Sequence, residues 1–249
     1  GFCHSEEEII MYHFFVEPHQ IGTEEIRIEG ADVNHIRNVL RMKPGEEILI
    51  SSREGGDYFC RVEELEPEYV SAKILEEWEN KELPARIHLF QGLPKGDKME
   101  LIIQKAVELG AYRVIPVSMK RSVVKLDAKK ADAKRKRWNA VSESAAKQSK
   151  RSLIPEVAPL MTYKEAVKEA AGYDMVLLPY ESADGIRKTR ELLASVKPGT
   201  DIAVFIGPEG GFEDEEVELA RENGAEIVTL GKRILRTETA GLCMLSLEV

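Results

Sequence analysis

From residue 12 to about residue 83, apolar positions fall in short runs that favour strands, at 12–16, 26–29, 47–51, 58–66 and 69–76. Turn signals separate several of them, such as Lys43-Pro44-Gly45 and Gly55-Gly56-Asp57. So many short strands in so little chain predict a small β-barrel. One helix is predicted inside it, at 32–42, with Val33, Ile36, Val39 and Leu40 on its apolar side. His35, Asn38 and Arg41 recur at every third residue on the other side, near Arg37.

Glu82-Leu83-Pro84 interrupts this pattern and is read as a linker, giving domains at 12–83 and 85–249. Beyond it strands are predicted at 87–93, 113–117, 175–180, 202–206 and 226–230. Helices are predicted at 98–109, 128–147, 163–171, 184–195 and 214–223, with a last one from Thr239. Gly110, Gly172 and Gly224 each follow a helical stretch, where glycine commonly ends a helix. Regular alternation of this kind predicts an α/β domain with a mainly parallel sheet covered on both faces.

Two phrases near the C-terminus carry the candidate chemistry. IGPEGGF (206–212) and LGKRILRTETA (230–240) each follow a predicted strand and lead into a predicted helix, so both loops belong at one sheet edge, where open α/β sheets bind ligands. Glycine there lets backbone approach a ligand closely. No GxxxxGK[ST] phosphate cradle occurs, and the first loop runs into Glu213, Asp214, Glu215 and Glu216, which would repel a polyphosphate. The loops therefore suit a neutral or cationic small molecule better than NAD or ATP.

Composition changes the picture mainly through charge. The chain has 249 residues and a net charge of −9. Yet from Lys120 to Arg151 twelve Lys or Arg face only Asp127, Asp132 and Glu143, a local excess of nine. Such asymmetry suggests an anionic partner at one face, although a basic helix can equally be a solvated surface. Trp138, Arg121, Lys125, Gln148 and Arg151 in or beside the run tilt it toward RNA, where Arg and aromatic planes stack on bases. The stripe of His35, Arg37 and Arg41 is either solvated or an RNA-touching face. Cys3, Cys60 and Cys243 are scattered, and five histidines form no metal-binding cluster, so neither a disulfide framework nor a metal is expected. No apolar run is long enough to span a bilayer. A cytoplasmic setting follows, with residues 1–10 expected to be processed or foreign and Met11 a natural start.

The chain resembles the bacterial 16S ribosomal RNA uridine N3-methyltransferases, a branch of the SPOUT superfamily, over nearly all of residues 11–249. The resemblance rests on HIRNVLRMKPGEEI (35–48), LPKGDKMELIIQKAVELGA (93–111), RSVVKLD (121–127), the Trp138 and AAKQSKR (145–151) region, and the two loop phrases. It implies a PUA-like N-terminal β-barrel for RNA and a methyltransferase domain with a deep trefoil knot. It also implies S-adenosylmethionine as methyl donor, ribosomal RNA of the small subunit as partner, and a homodimer with its site near the interface. The family usually carries the last helix beyond Val249, so a truncation there, and with it the strength of the dimer, is open.

Mapped onto this chain, the resemblance makes Leu178, Pro179, Tyr180, Glu181, Ile206, Gly207, Pro208, Gly210, Gly211, Leu230, Gly231, Ile234, Leu235 and Ala240 the cofactor-binding residues. RNA binding falls to His35, Arg37, Arg41, Arg121, Lys125 and Arg151. Arg236, Glu238 and Glu209 are the catalytic candidates: Arg236 to stabilise a uridine anion, Glu238 to accept its proton or orient Arg236. A pair between Arg236 and Glu238 that only stiffens the loop is equally open. Two other functions remain: a related methyltransferase acting on another RNA or on a ribose 2′-hydroxyl, and a non-catalytic RNA-binding or ribosome-assembly factor. Binding of S-adenosylmethionine separates the enzymes from the last.

Overall fold

Alternate residues of the first five strands turn toward one apolar core. In β2 (Glu25–Glu29), Ile26 and Ile28 are buried while Glu25, Arg27 and Glu29 are exposed. The other strands are β1 (Tyr12–Val16), β3 (Glu47–Ser52), β4 (Asp57–Leu65) and β5 (Tyr69–Trp78). Their order is β1-β3-β4-β5-β2, with β1 parallel to β3 and the remaining pairs antiparallel. Two register shifts between β4 and β5 raise the local twist, and the sheet curls until Phe14, Ile26, Ile48, Val62 and Val70 share a core. Among the described residues β1 and β2 do not pair; Val33 and Ile36 of the helical segment fill that core instead.

This computed structural model describes residues 11–53, 56–78, 82–180 and 185–247. The chain divides into two compact units, Gly1–Lys81 and Glu82–Val249.

The predicted helix at 32–42 takes a different form. A single turn, α1 (Ala31–Asn34), continues as a π-helical stretch, His35–Val39, in which the Leu40 N–H reaches back to the His35 carbonyl at 2.9 Å. The wider turn rotates side chains away from their α-helical positions. Val39 is therefore 62% exposed, not on the apolar side as its spacing suggested.

In the second unit the parallel strands are β6 (Arg86–Gly92), β7 (Arg113–Ser118), β8 (Glu156–Val157), β9 (Met161–Thr162), β10 (Met175–Pro179), β11 (Asp201–Ile206) and β12 (Glu226–Val228). They lie in the order β12-β10-β11-β6-β7-β8, with β9 also beside β7. The helices are α2 (Lys98–Glu108), α3 (Ala128–Gln148), α4 (Tyr163–Ala170), α5 (Gly185–Ala194), α6 (Asp214–Glu222) and α7 (Thr237–Leu247). The central strands are buried almost throughout, as sheets covered on both faces require. Gly110 and Gly224 end their helices at positive φ, whereas Gly172 follows α4 without it. No described helix is long and apolar enough to cross a membrane.

Two residues of the basic run lie inside this unit. Trp138 is buried, so its indole is core and offers no face to a base. Arg151 is 7% exposed; it pairs with Glu82 and donates to the carbonyls of Val107 and Ala111 at 2.6 and 3.1 Å. Its donors are spent on bracing the fold, which corrects its assignment to RNA.

Candidate functional site

Because the strands run parallel, the C-terminal ends of β6, β10, β11 and β12 gather at one edge. Three loops meet there. After β11 the chain makes a tight turn in which the Gly211 N–H donates to the Pro208 carbonyl at 2.8 Å and Gly211 takes a φ of 70°. A Cβ on Gly92, at the end of β6, would lie 2.7 Å from the Pro208 nitrogen, so this turn can sit so close only because Gly92 has none. Phe212 is buried below it as an anchor. Glu213 and Glu216 form a capping box that starts α6. Arg121 forks onto Glu213 at 3.0 and 3.2 Å and onto the Gly210 carbonyl at 2.9 Å, fixing the turn from outside.

The second loop follows β12 and passes through Gly231 (φ 112°) to the start of α7. Thr237 donates to the Gly207 carbonyl at 2.6 Å and accepts from buried Gln91 at 2.8 Å, which seats this segment on the first loop. Here the resemblance places the knot. The third loop brings Pro179 and Tyr180, whose hydroxyl donates to Asp214 at 3.0 Å.

The loops enclose a cleft of about 770 Å³. Pro179, Tyr180, Ile206, Gly207, Pro208, Gly210, Gly211, Leu230, Gly231, Ile234, Leu235 and Ala240 line it, as the resemblance implied, together with Glu209 and Arg236. Leu178 does not; it is fully buried in the core beneath. Glu181 lies outside the described residues. The lining combines an apolar face for a flat ring with four cations, Lys98, Arg121, Arg233 and Arg236, and two carboxylates. Ile234 is 79% exposed, an apolar side chain with an uncovered face, while Asp214 and Glu209 contribute carboxylates.

Sequence reasoning missed one ion in the cleft wall. Lys98, the first residue of α2, stands 3.2 Å from Glu209 and 3.3 Å from Glu238. Its partners, Glu209 first, hold the ammonium above its ordinary pKa. The only signal in the sequence was its place in LPKGDK; nothing in the spacing tied it to residues more than a hundred positions away. Glu238 thus pairs with Lys98. Arg236 is exposed and, like Arg233, forms no side-chain hydrogen bond or ion pair among the described residues. The Arg236 to Glu238 pair envisaged from sequence is not formed. Burial would raise the Glu209 carboxyl, but its own amide, the Lys95 amide and Lys98 outweigh it and hold the group below the usual range.

Among the described residues, seven of the twelve cations between Lys120 and Arg151 pair with acids, several from other elements. Arg121 is one of them; Lys125 is exposed. In the first unit His35 and Arg41 are exposed and Arg37 is half-buried.

Residues 81–248 match a family described as an RNA methyltransferase domain, and residues 28–75 match an RNA methyltransferase PUA domain. The chain is 39% identical to the ribosomal RNA small subunit methyltransferase E of Bacillus subtilis, over 95% of each chain. A crystal structure of the corresponding Neisseria gonorrhoeae protein bound to S-adenosyl methionine is 33% identical. It has a TM-score of 0.78 and aligns over 95% of this chain and 96% of that one. A third structure, described only as a hypothetical protein, is 39% identical with a TM-score of 0.87, over 94% and 96% of the two chains.

Proposed function

The chain belongs to the RNA methyltransferase family, and from that premise we propose that it methylates N3 of a uridine in 16S ribosomal RNA, with S-adenosylmethionine as donor. The observation that carries the chemistry is Arg236, a cation with no side-chain partner among the described residues, in a cleft whose apolar lining suits the adenine of that donor. Ile206, Leu230, Ile234 and Leu235 would hold the adenine, loop backbone the ribose, and the carboxylates would favour the cationic end. When bound, the donor supplies an electrophilic methyl group on a sulfonium.

The chain's own residues then have to present N3 as a nucleophile. Its proton must leave, and the resulting negative charge spreads over the ring carbonyl oxygens. Arg236 can stabilise that charge, which lowers the barrier. Glu209, held ionised, is a poor base, and Glu238 is committed to Lys98. The proton accordingly goes to solvent, and positioning supplies much of the remaining acceleration. With no free strong base among the described cleft residues, a ribose 2′-hydroxyl, a far weaker acid, is disfavoured.

RNA is held by the first unit, with His35, Arg37 and Arg41 as contacts, and by Lys125 in the second; Arg151 leaves that set, as does Arg121, whose guanidinium braces the loop after β11. Assembly as a homodimer in the cytoplasm completes the reading.

Ribosomal RNA from a strain lacking the protein should lose one N3-methyluridine from 16S RNA by mass mapping. An unchanged pattern would overturn the proposal. Arg236→Ala should lower kcat about a hundredfold while calorimetry shows donor affinity within about threefold of wild type.

A further inference from the structure

We propose that Lys98 is a positioning residue that keeps Arg236 free, by holding Glu238, the carboxylate only two residues away from that arginine. The inference rests on the reading of Arg236 given above. Three segments distant in sequence converge on one ammonium: Glu209 from the loop after β11, Glu238 from the first turn of α7, and Lys98 from the first turn of α2. Lys98 is well placed to hold them, because the next residue, Met99, is buried and fixes the start of α2, which also packs on α7.

The charges say what this cluster does. One ammonium between two carboxylates leaves a net negative charge, so Lys98 is not a phosphate or RNA contact. Its effect is on the carboxylates. Glu238 is mostly buried, and an ionised carboxylate there needs a cation. Without Lys98 the nearest cation in sequence is Arg236, and a bidentate pair with it would neutralise the charge that the reaction uses. Lys98 thus decides which of two cations Glu238 takes.

The test compares wild type, Lys98→Met, Glu238→Gln and the double variant. Arg236 is labelled with phenylglyoxal and followed by peptide mass spectrometry, alongside methyl transfer at saturating substrates. Lys98→Met should slow labelling of Arg236 about fivefold and lower kcat about tenfold, since an arginine held by a carboxylate is protected and quenched. The double variant should label at the wild-type rate and recover most of the lost kcat, because the carboxylate next to Arg236 is gone while Glu209 stays on the Lys95 amide. A purely structural role for Lys98 predicts no such recovery. Labelling unchanged in Lys98→Met, or a double variant no faster than Lys98→Met, would overturn the proposal. Lys98→Gln provides the same comparison should the methionine variant not fold. Labelling needs no methyl transfer, so a wild-type protein that fails to methylate would defeat the functional reading while leaving this one to be judged on labelling.

Discussion

Arg86 grips Asp201 through two N–H bonds, of 2.7 and 2.5 Å, and His88 adds a third contact at 2.9 Å, all at the N-terminal ends of β6 and β11, away from the cleft. Arg86 is the main reason the Asp201 carboxyl falls to about 2; burial opposes it and His88 assists. A carboxyl depressed below its unfolded value stabilises the fold above pH 4, and that contribution is lost as pH falls through 2. Burial also lowers the His88 imidazole, against the pull of Asp201, so protonating it below its ordinary range destabilises the fold too. Asp201→Asn should therefore cost about 2 kcal/mol at neutral pH and flatten the melting temperature between pH 4 and 2. A variant with an unaltered acid profile would show that the network carries no such linkage. Residue type alone misled elsewhere at this scale: Trp138 and Arg151 suit RNA by chemistry, but burial and partners give both to the core.

At the scale of elements, the loop after β11 is shaped by what lies against it. A methyl group at position 92 would meet the Pro208 nitrogen at 2.7 Å, backbone that cannot swing clear, and the Met119 sulfur at 2.9 Å. Gly92→Ala should shift the loop, weaken donor binding about tenfold by calorimetry and cost about 1–3 kcal/mol, the usual range for overpacking. Retained affinity would mean that the loop tolerates displacement. The strands and longer helices were legible because two-residue and helical periodicities persist over several residues. β8 and β9, of two residues each, are too short to leave a pattern. The π-helical stretch was illegible for another reason: apolar spacing over one or two turns does not distinguish an α-turn from the wider π-turn, and Val39 shows the difference.

For the whole molecule, each unit has its own apolar core. A fragment spanning 82–249 should melt cooperatively and bind S-adenosylmethionine within about threefold of the full chain, since every described cleft residue lies in it. Its methylation of ribosomal RNA should fall sharply with the PUA-like unit gone. Loss of donor binding would show that the cleft depends on the first unit.

The periodicities by themselves determined the two-part organisation and the parallel sheet, because strands and helices follow local patterns that burial then enforces. They also determined which loops meet at the ligand edge, since parallel strands place their C-terminal ends together. The specific phrases carried the family and the cofactor. Only the tertiary structure decided which charges are free. Lys98, Glu209 and Glu238 lie far apart along the chain, and no local pattern records that an ammonium will stand between two carboxylates. Ion pairing acts through a few ångströms of space. The partner of Glu238, and hence the freedom of Arg236, exists only once the loops have closed on one another.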